Sequence, residues 1–126
     1  LGMSAFLLCA FVAKLLLEAI NYVEHYGLVR EKGKPVGMRH SWNSNHLLSS
    51  VYLCNVTRHS DHHRSTSLNF WELNPNHEDA PLLPYGYLSM LYLVLLTPFV
   101  YKRIMAKELE FWDQNRATEY ERNYSL

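Results

Sequence analysis

The chain of 126 residues has no excess of charge of either sign: twelve Lys and Arg are matched by twelve Asp and Glu. Without a basic field, nucleic-acid binding drops out. Cysteine is scarce. Cys9 and Cys54 sit in apolar surroundings with no CxxC or framework spacing, so they read as small buried hydrophobes and do not indicate a redox compartment. Repeats and low-complexity tracts are missing. So are an initiator methionine and a cleavable signal pattern, since the sequence opens at Leu1 inside an apolar run. The expectation is the carboxy-terminal part of a longer polypeptide.

Charge is also thin in two stretches. From Leu1 to Tyr22 only Lys14, Glu18 and Asn21 are strongly polar. About twenty helical residues span a bilayer core, so residues 1–26 are long enough to form a transmembrane helix. Residues 84–103 hold a second apolar segment, without charge from Pro84 to Tyr101 and closed by Lys102 and Arg103. Both basic clusters, Arg30 to Arg39 and Lys102 to Lys107, belong on the cytoplasmic side by the positive-inside tendency. A full crossing between them would separate them. The second segment is therefore expected to enter and return, or to lie in the interface, and Pro98 near its end fits that. A soluble alternative would make both segments buried core helices.

What the chain does have is histidine. Arg58-His59-Ser60-Asp61-His62-His63 places three imidazoles within five residues. On a helix, positions i, i+3 and i+4 share a face, so His59, His62 and His63 can aim at one place. Neutral imidazole is a common ligand for transition metals, whereas a solvated face would more naturally carry Lys, Glu or Arg. His25 ends the first apolar helix, on a polar stripe with Lys14, Glu18 and Asn21 at helical spacing. Polar groups on such helices usually face a bundle interior. The bland reading is a Lys14–Glu18 pair plus a helix end reaching interfacial water. His25 fits that reading less well than Lys14 does.

Gly27 can end the first helix. Within residues 39–63 a histidine-bearing helix is expected, capped by Ser41 or Asn43 and running through Leu47, Leu48, Val51 and Val56 toward the histidines. His40 and His46 are expected to orient metal-bound imidazoles rather than to ligate. Asp61, on a different face from His59, is better placed to hold a neighbouring group. His77 reads as an ordinary loop histidine. The polar tail, 107–126, reads as a solvated amphipathic helix or a frayed terminus.

With imidazole candidates and no cysteine in the cluster, a structural zinc ribbon and an iron–sulfur cluster are disfavoured. Iron, zinc and copper stay open, as do one metal or two. A membrane zinc-binding or zinc hydrolase module is a reading from a different class. The blandest is a helical membrane anchor with incidental histidines.

Asn21-Tyr22-Val23-Glu24-His25-Tyr26-Gly27-Leu28, Arg39-His40-Ser41-Trp42-Asn43-Ser44-Asn45 and Arg58-His59-Ser60-Asp61-His62-His63 resemble the integral-membrane alkane hydroxylases and xylene monooxygenases, within the membrane fatty-acid desaturase and hydroxylase superfamily. The resemblance extends through Asp79-Ala80-Pro81-Leu82-Leu83-Pro84 and covers most of the chain. It implies an all-α membrane helical bundle, present here as a fragment with one transmembrane helix, a cytoplasmic histidine-bearing region and a second interfacial or re-entrant helix. It implies two iron ions, with His25, His59, His62 and His63 among their ligands; Glu24, His40, Asn43, His46 and Asp61 are expected around that set. The earlier histidine boxes of that superfamily are not in this sequence. The implied activity is O2-dependent hydroxylation of an unactivated C–H bond of an alkane or alkyl-aromatic, with rubredoxin or ferredoxin and a reductase supplying electrons at the bacterial inner membrane. The nearest competitor is an acyl-chain desaturase or hydroxylase of the same superfamily.

Overall fold

The computed structural model describes residues 1–65, 67–75 and 78–124, so His77 lies outside the described residues. All regular elements among them are helical: α1 (Gly2–His25), a 3₁₀ turn (Met38–His40), α2 (Leu47–Tyr52), α3 (His59–Arg64), α4 (Tyr87–Leu96), α5 (Pro98–Asn115) and α6 (Glu119–Tyr124). An isolated parallel bridge joins Asn43 to Leu82.

α1 follows from its unbroken apolar composition, and its 24 residues make it long and apolar enough to cross a membrane. Its first two-thirds are bare: Phe6, Leu7, Phe11, Leu15 and Leu17 are exposed. Lys14, Glu18 and Asn21 are exposed too, so most of the expected inward-facing stripe meets nothing here. Burial starts in the last turns, where Val23 and Glu24 are enclosed. Cys9 and Cys54 are likewise exposed rather than buried.

The histidine-bearing stretch is not one helix. Trp42 N–H donates to the Glu24 carbonyl (2.8 Å), Asn43 N–H to Pro81 (2.8 Å) and Ser44 N–H to Thr57 (2.9 Å). Donors committed to three distant carbonyls cannot make i→i−4 bonds, so residues 41–44 stay extended and α2 starts only at Leu47. α2 ends where Cys54 (φ 47°) and Asn55 (φ 58°) adopt left-handed backbone, a conformation Asn tolerates. α3 then starts afresh. Its cap comes from Asn43, whose Oδ1 accepts the Ser60 N–H at 2.9 Å; Asn43 does not cap α2.

The second apolar segment is a turn-back. α4 stops at Leu96, Thr97 breaks the helix, and Pro98 opens α5 at a position where its missing N–H costs nothing. Tyr87, at the start of α4, donates to the Trp42 carbonyl. Tyr101, in the first turn of α5, packs against Tyr22 and Tyr26. The start of α4, through Trp42, and the first turn of α5 therefore lie beside the last turns of α1. Val23, Trp42, Leu83, Tyr87, Met90, Tyr101, Met105 and Leu109 form the buried core at that junction. The tail is neither frayed nor wholly solvated, because Leu109, Trp112, Ala117 and Glu121 are buried.

Gly27 closes α1 with φ +71°, and a Cβ there would lie 2.3 Å from Leu109 Cδ1. Gly27→Ala should therefore cost about 1–3 kcal/mol through left-handed strain and overpacking. A lowered melting temperature is the expected outcome, and Gly27→Ala with Leu109→Ala together should cost less than the sum of the two alone, because the two sites touch. An unchanged melting temperature would contradict the close approach.

Candidate metal centre

The last turn of α1 and the single long face of α3 meet at three imidazoles. One ring nitrogen from each of His25, His59 and His63 lies within 4.8 Å of the others. Ring centroids are 5.2 Å apart for His25 and His59, 5.4 Å for His25 and His63, and 4.4 Å for His59 and His63. Nitrogens about 2.1 Å from a shared ion lie roughly 3–4 Å from one another, so small rotations would bring this set into coordination range.

The nitrogens themselves fit a metal. His25 Nδ1 lies 2.9 Å from the His40 carbonyl, which only accepts, so Nδ1 carries the proton and Nε2 keeps a lone pair. His59 Nε2 lies 3.4 Å from a carboxylate oxygen of Glu24. His59 Nδ1 and His63 Nε2 are buried with no hydrogen-bond partner. Buried polar atoms left without partners are costly, and a ligated cation would satisfy both.

The fourth sequence-predicted ligand is set apart. His62 is exposed, with its ring 6.0 Å from that of His59 and 6.1 Å from that of His63. One residue's rotation from His63 turns it about 100° around α3.

The expected supporting residues divide. Glu24, 2 % exposed, faces His59 directly. His40 meets His25 through its main-chain carbonyl, while its ring Nδ1 accepts the Gly37 N–H at 2.9 Å. Asn43 acts through the α3 cap, and its Nδ2 is buried without a partner. Asp61 points away: it accepts from Arg64 Nε (2.7 Å) and the Asn74 N–H (2.8 Å), pinning the following loop. His46 is exposed at the start of α2 against Gly86, outside the imidazole group.

Several contributors were not among the expected site residues. Ser60 Oγ donates to the Ser41 carbonyl at 2.9 Å, locking α3 onto the extended segment. Trp42 Nε1 donates to the Tyr26 carbonyl at 2.8 Å and fixes the end of α1. Thr118-Glu119-Tyr120-Glu121 is a readable capping box: Thr118 N–H donates to Glu121 Oε2 (2.8 Å), and Glu121 N–H to Thr118 Oγ1 (3.3 Å).

Electrostatics favour neutral rings. Burial, reinforced by the neighbouring imidazoles of His63, His25 and His62, pushes His59 down to about 3. Burial lowers His63 in the same way, with His25, His62 and His40 adding to it. His40 is lowered by burial, against the opposing pull of the Glu121 carboxylate. Neutral imidazole is the metal-binding form.

The sequence pattern of the family described as fatty acid desaturase matches residues 1–115. The chain belongs to the fatty acid desaturase family. Among curated members, it is 46% identical over 103 residues to alkane 1-monooxygenase 1 of Pseudomonas aeruginosa, an alignment covering 78% of this chain and 27% of that protein. It is 42% identical over 114 residues to alkane 1-monooxygenase 2 of Alcanivorax borkumensis, covering 86% and 29%. To the xylene/toluene monooxygenase hydroxylase component XylM of Pseudomonas putida it is 36% identical over 115 residues, covering 91% and 31%. The chain thus spans between 27% and 31% of these three relatives. Family membership agrees with the all-helical architecture and with the long apolar α1.

A pH dependence follows. The unfolded chain takes up protons on histidine near pH 6.5, whereas folded His59 resists until about 3 and His63 is lowered as well. Their contribution to stability is therefore complete above about pH 6.5 and declines as pH falls toward the folded values. Denaturant midpoints of the metal-free full-length protein, measured in a Glu24→Gln background so that the buried acid facing His59 does not titrate, should drop steadily below pH 6.5. A midpoint constant between pH 7 and 5 would show that these rings are not held neutral.

Proposed function

We propose that this chain supplies part of the metal centre of a membrane monooxygenase that hydroxylates an unactivated C–H bond of an alkane or alkyl-aromatic. The carrying observation is the convergence of His25 from α1 with His59 and His63 from α3, with nitrogens placed to ligate. The names of the relatives support the substrate class.

The metal we assign is iron, two ions in the complete protein, with His25, His59 and His63 on one of them and His62, turned outward, serving the second. When loaded, such a centre supplies reductive activation of O2 and transfer of one oxygen atom into the C–H bond. The chain's own residues hold and orient. The His40 carbonyl keeps the proton of His25 on Nδ1 and leaves its Nε2 bare, while Glu24 sits 3.4 Å from Nε2 of His59, whose Nδ1 has no partner. The buried Ser41–Ser60 contact and the Asn43 cap fix the angle at which α3 presents its histidines. Trp42, Tyr87 and Met90 belong to the buried core that encloses Val23, two residues before His25.

We place the protein in the bacterial inner membrane with this site on the cytoplasmic side. Lys102 lies beside Tyr22, His25 and Gly27. The turn-back of α4 and α5 thus puts the basic residues at the same end of α1 as the imidazoles, as the positive-inside tendency requires. Electrons would come from a rubredoxin or ferredoxin with its reductase.

The test is metal and product analysis of the full-length protein. Two irons per chain, with O2-dependent oxidation of octane or xylene in preference to acyl substrates, is the expected result; one zinc without O2 consumption overturns it. His25→Ala and His63→Ala should each lose the iron that those two residues share. Glu24→Gln should weaken iron retention by about 10- to 100-fold, the range for groups that orient ligating imidazoles. His46→Ala should leave it unchanged.

A further inference from the structure

We infer that Glu121 is a positioning residue for the His25 imidazole, acting through Arg39 and the Met38–His40 turn. The inference rests on the metal reading proposed above. Glu121 is only 7% exposed although it lies near the end of the chain. Its Oε1 sits 3.0 Å from Arg39 Nε and 3.8 Å from His40 Nε2. The Arg39 guanidinium also donates to the Arg116 carbonyl at 2.5 Å and lies 5.9 Å from the centroid of the Trp112 ring. The end of α5 and the start of α6 thus hold residues 39 and 40 from one side.

What they hold is a three-residue turn with a single internal main-chain bond, His40 N–H to Gly37 O at 3.1 Å. So short a turn needs outside support to keep one orientation. Its last carbonyl, that of His40, takes the Nδ1 proton of His25. The His40 ring is itself oriented: Nδ1 accepts from Gly37, so the proton lies on Nε2 and faces the Glu121 carboxylate. Glu121 therefore bears on the carbonyl that aims His25, two contacts from the metal-binding nitrogen. The family pattern ends at residue 115, so it does not include Glu121.

A plainer role exists for the same side chain, because Glu121 Oε2 caps α6 through Thr118. Two variants separate the roles. Glu121→Gln keeps an acceptor for the Thr118 N–H but removes the charge facing Arg39. Thr118→Ala breaks the capping box and leaves the Arg39 pair intact. The full-length, iron-loaded protein is challenged with excess chelator, and iron release is timed beside a thermal melt. Glu121→Gln should release iron about 10-fold faster, as for other groups behind a ligating imidazole. Thr118→Ala should stay near the wild-type rate. Arg39→Lys should accelerate release alone but add little on top of Glu121→Gln, because the two act as one unit. Release from Glu121→Gln at the wild-type rate, or from Thr118→Ala as fast as from Glu121→Gln, overturns the inference and leaves the metal site standing. A wild-type protein that holds no iron overturns both.

Discussion

Four extended residues, Ser41 to Ser44, tie this structure together. Their main-chain groups bond to Glu24 at the end of α1, to Pro81 and Leu83 before α4, and to Thr57 before α3, all at 2.8–2.9 Å. Each such bond contributes only about 1 kcal/mol net, yet leaving any of these buried groups unpaired would cost more than the bond gains. The constraint is therefore one of register. With Trp42 fixed to Glu24 and Tyr26, and with Asn43 and Ser41 fixed to Ser60, α1 and α3 have one relative placement. The imidazole group follows from that placement.

Histidine suits such a site because it can be buried uncharged. Three carboxylates at these separations would repel strongly in a poorly solvated setting, and at least one would take a proton. Neutral rings pack at 4.4–5.4 Å between centroids without that cost. The carboxylates that do occur nearby are used elsewhere. Asp61 is spent on Arg64 and Asn74, and Glu121 on Arg39, while Glu24 is, among the described residues, the acid paired with a ring of the cluster. Charge at the centre is thereby reserved for the ion the rings would bind.

Much of this was legible in the sequence, and the parts that were not share a cause. His59 and His63 are one helical turn apart, so spacing alone puts them on one face. His25 is brought to them by tertiary contacts, and its motif pointed there where its spacing could not. α2 and α3 were hidden within an apparently continuous helix because the break is made by long-range hydrogen bonds of Trp42, Asn43 and Ser44, together with left-handed Cys54 and Asn55. The role of His40 was masked for a different reason: the carbonyl that serves His25 belongs to the backbone and would be there with any side chain. Thr118-Glu119-Tyr120-Glu121 did carry a visible capping signature, but the surrounding charge made the tail look solvated.

The same contacts explain the contrast between the two ends of α1. Ten residues of α4 rise about 15 Å, half of a hydrocarbon core about 30 Å thick. α4 is thus too short to cross, and Pro98 starts the return. The packing of α4 and α5 against α1, with Tyr101 on Tyr22 and Tyr26, covers only the final turns of α1 and leaves the residues before Ala19, apolar apart from Ser4, Lys14 and Glu18, bare. A helix that is bare and greasy along most of its length and enclosed by hydrogen-bonded polar backbone at one end matches a boundary between hydrocarbon and water. Glu24 and His25 stand at that boundary. Glu24 and a proton-fixed His25 imidazole are enclosed by protein there, while the apolar length of the helix that carries them stays bare.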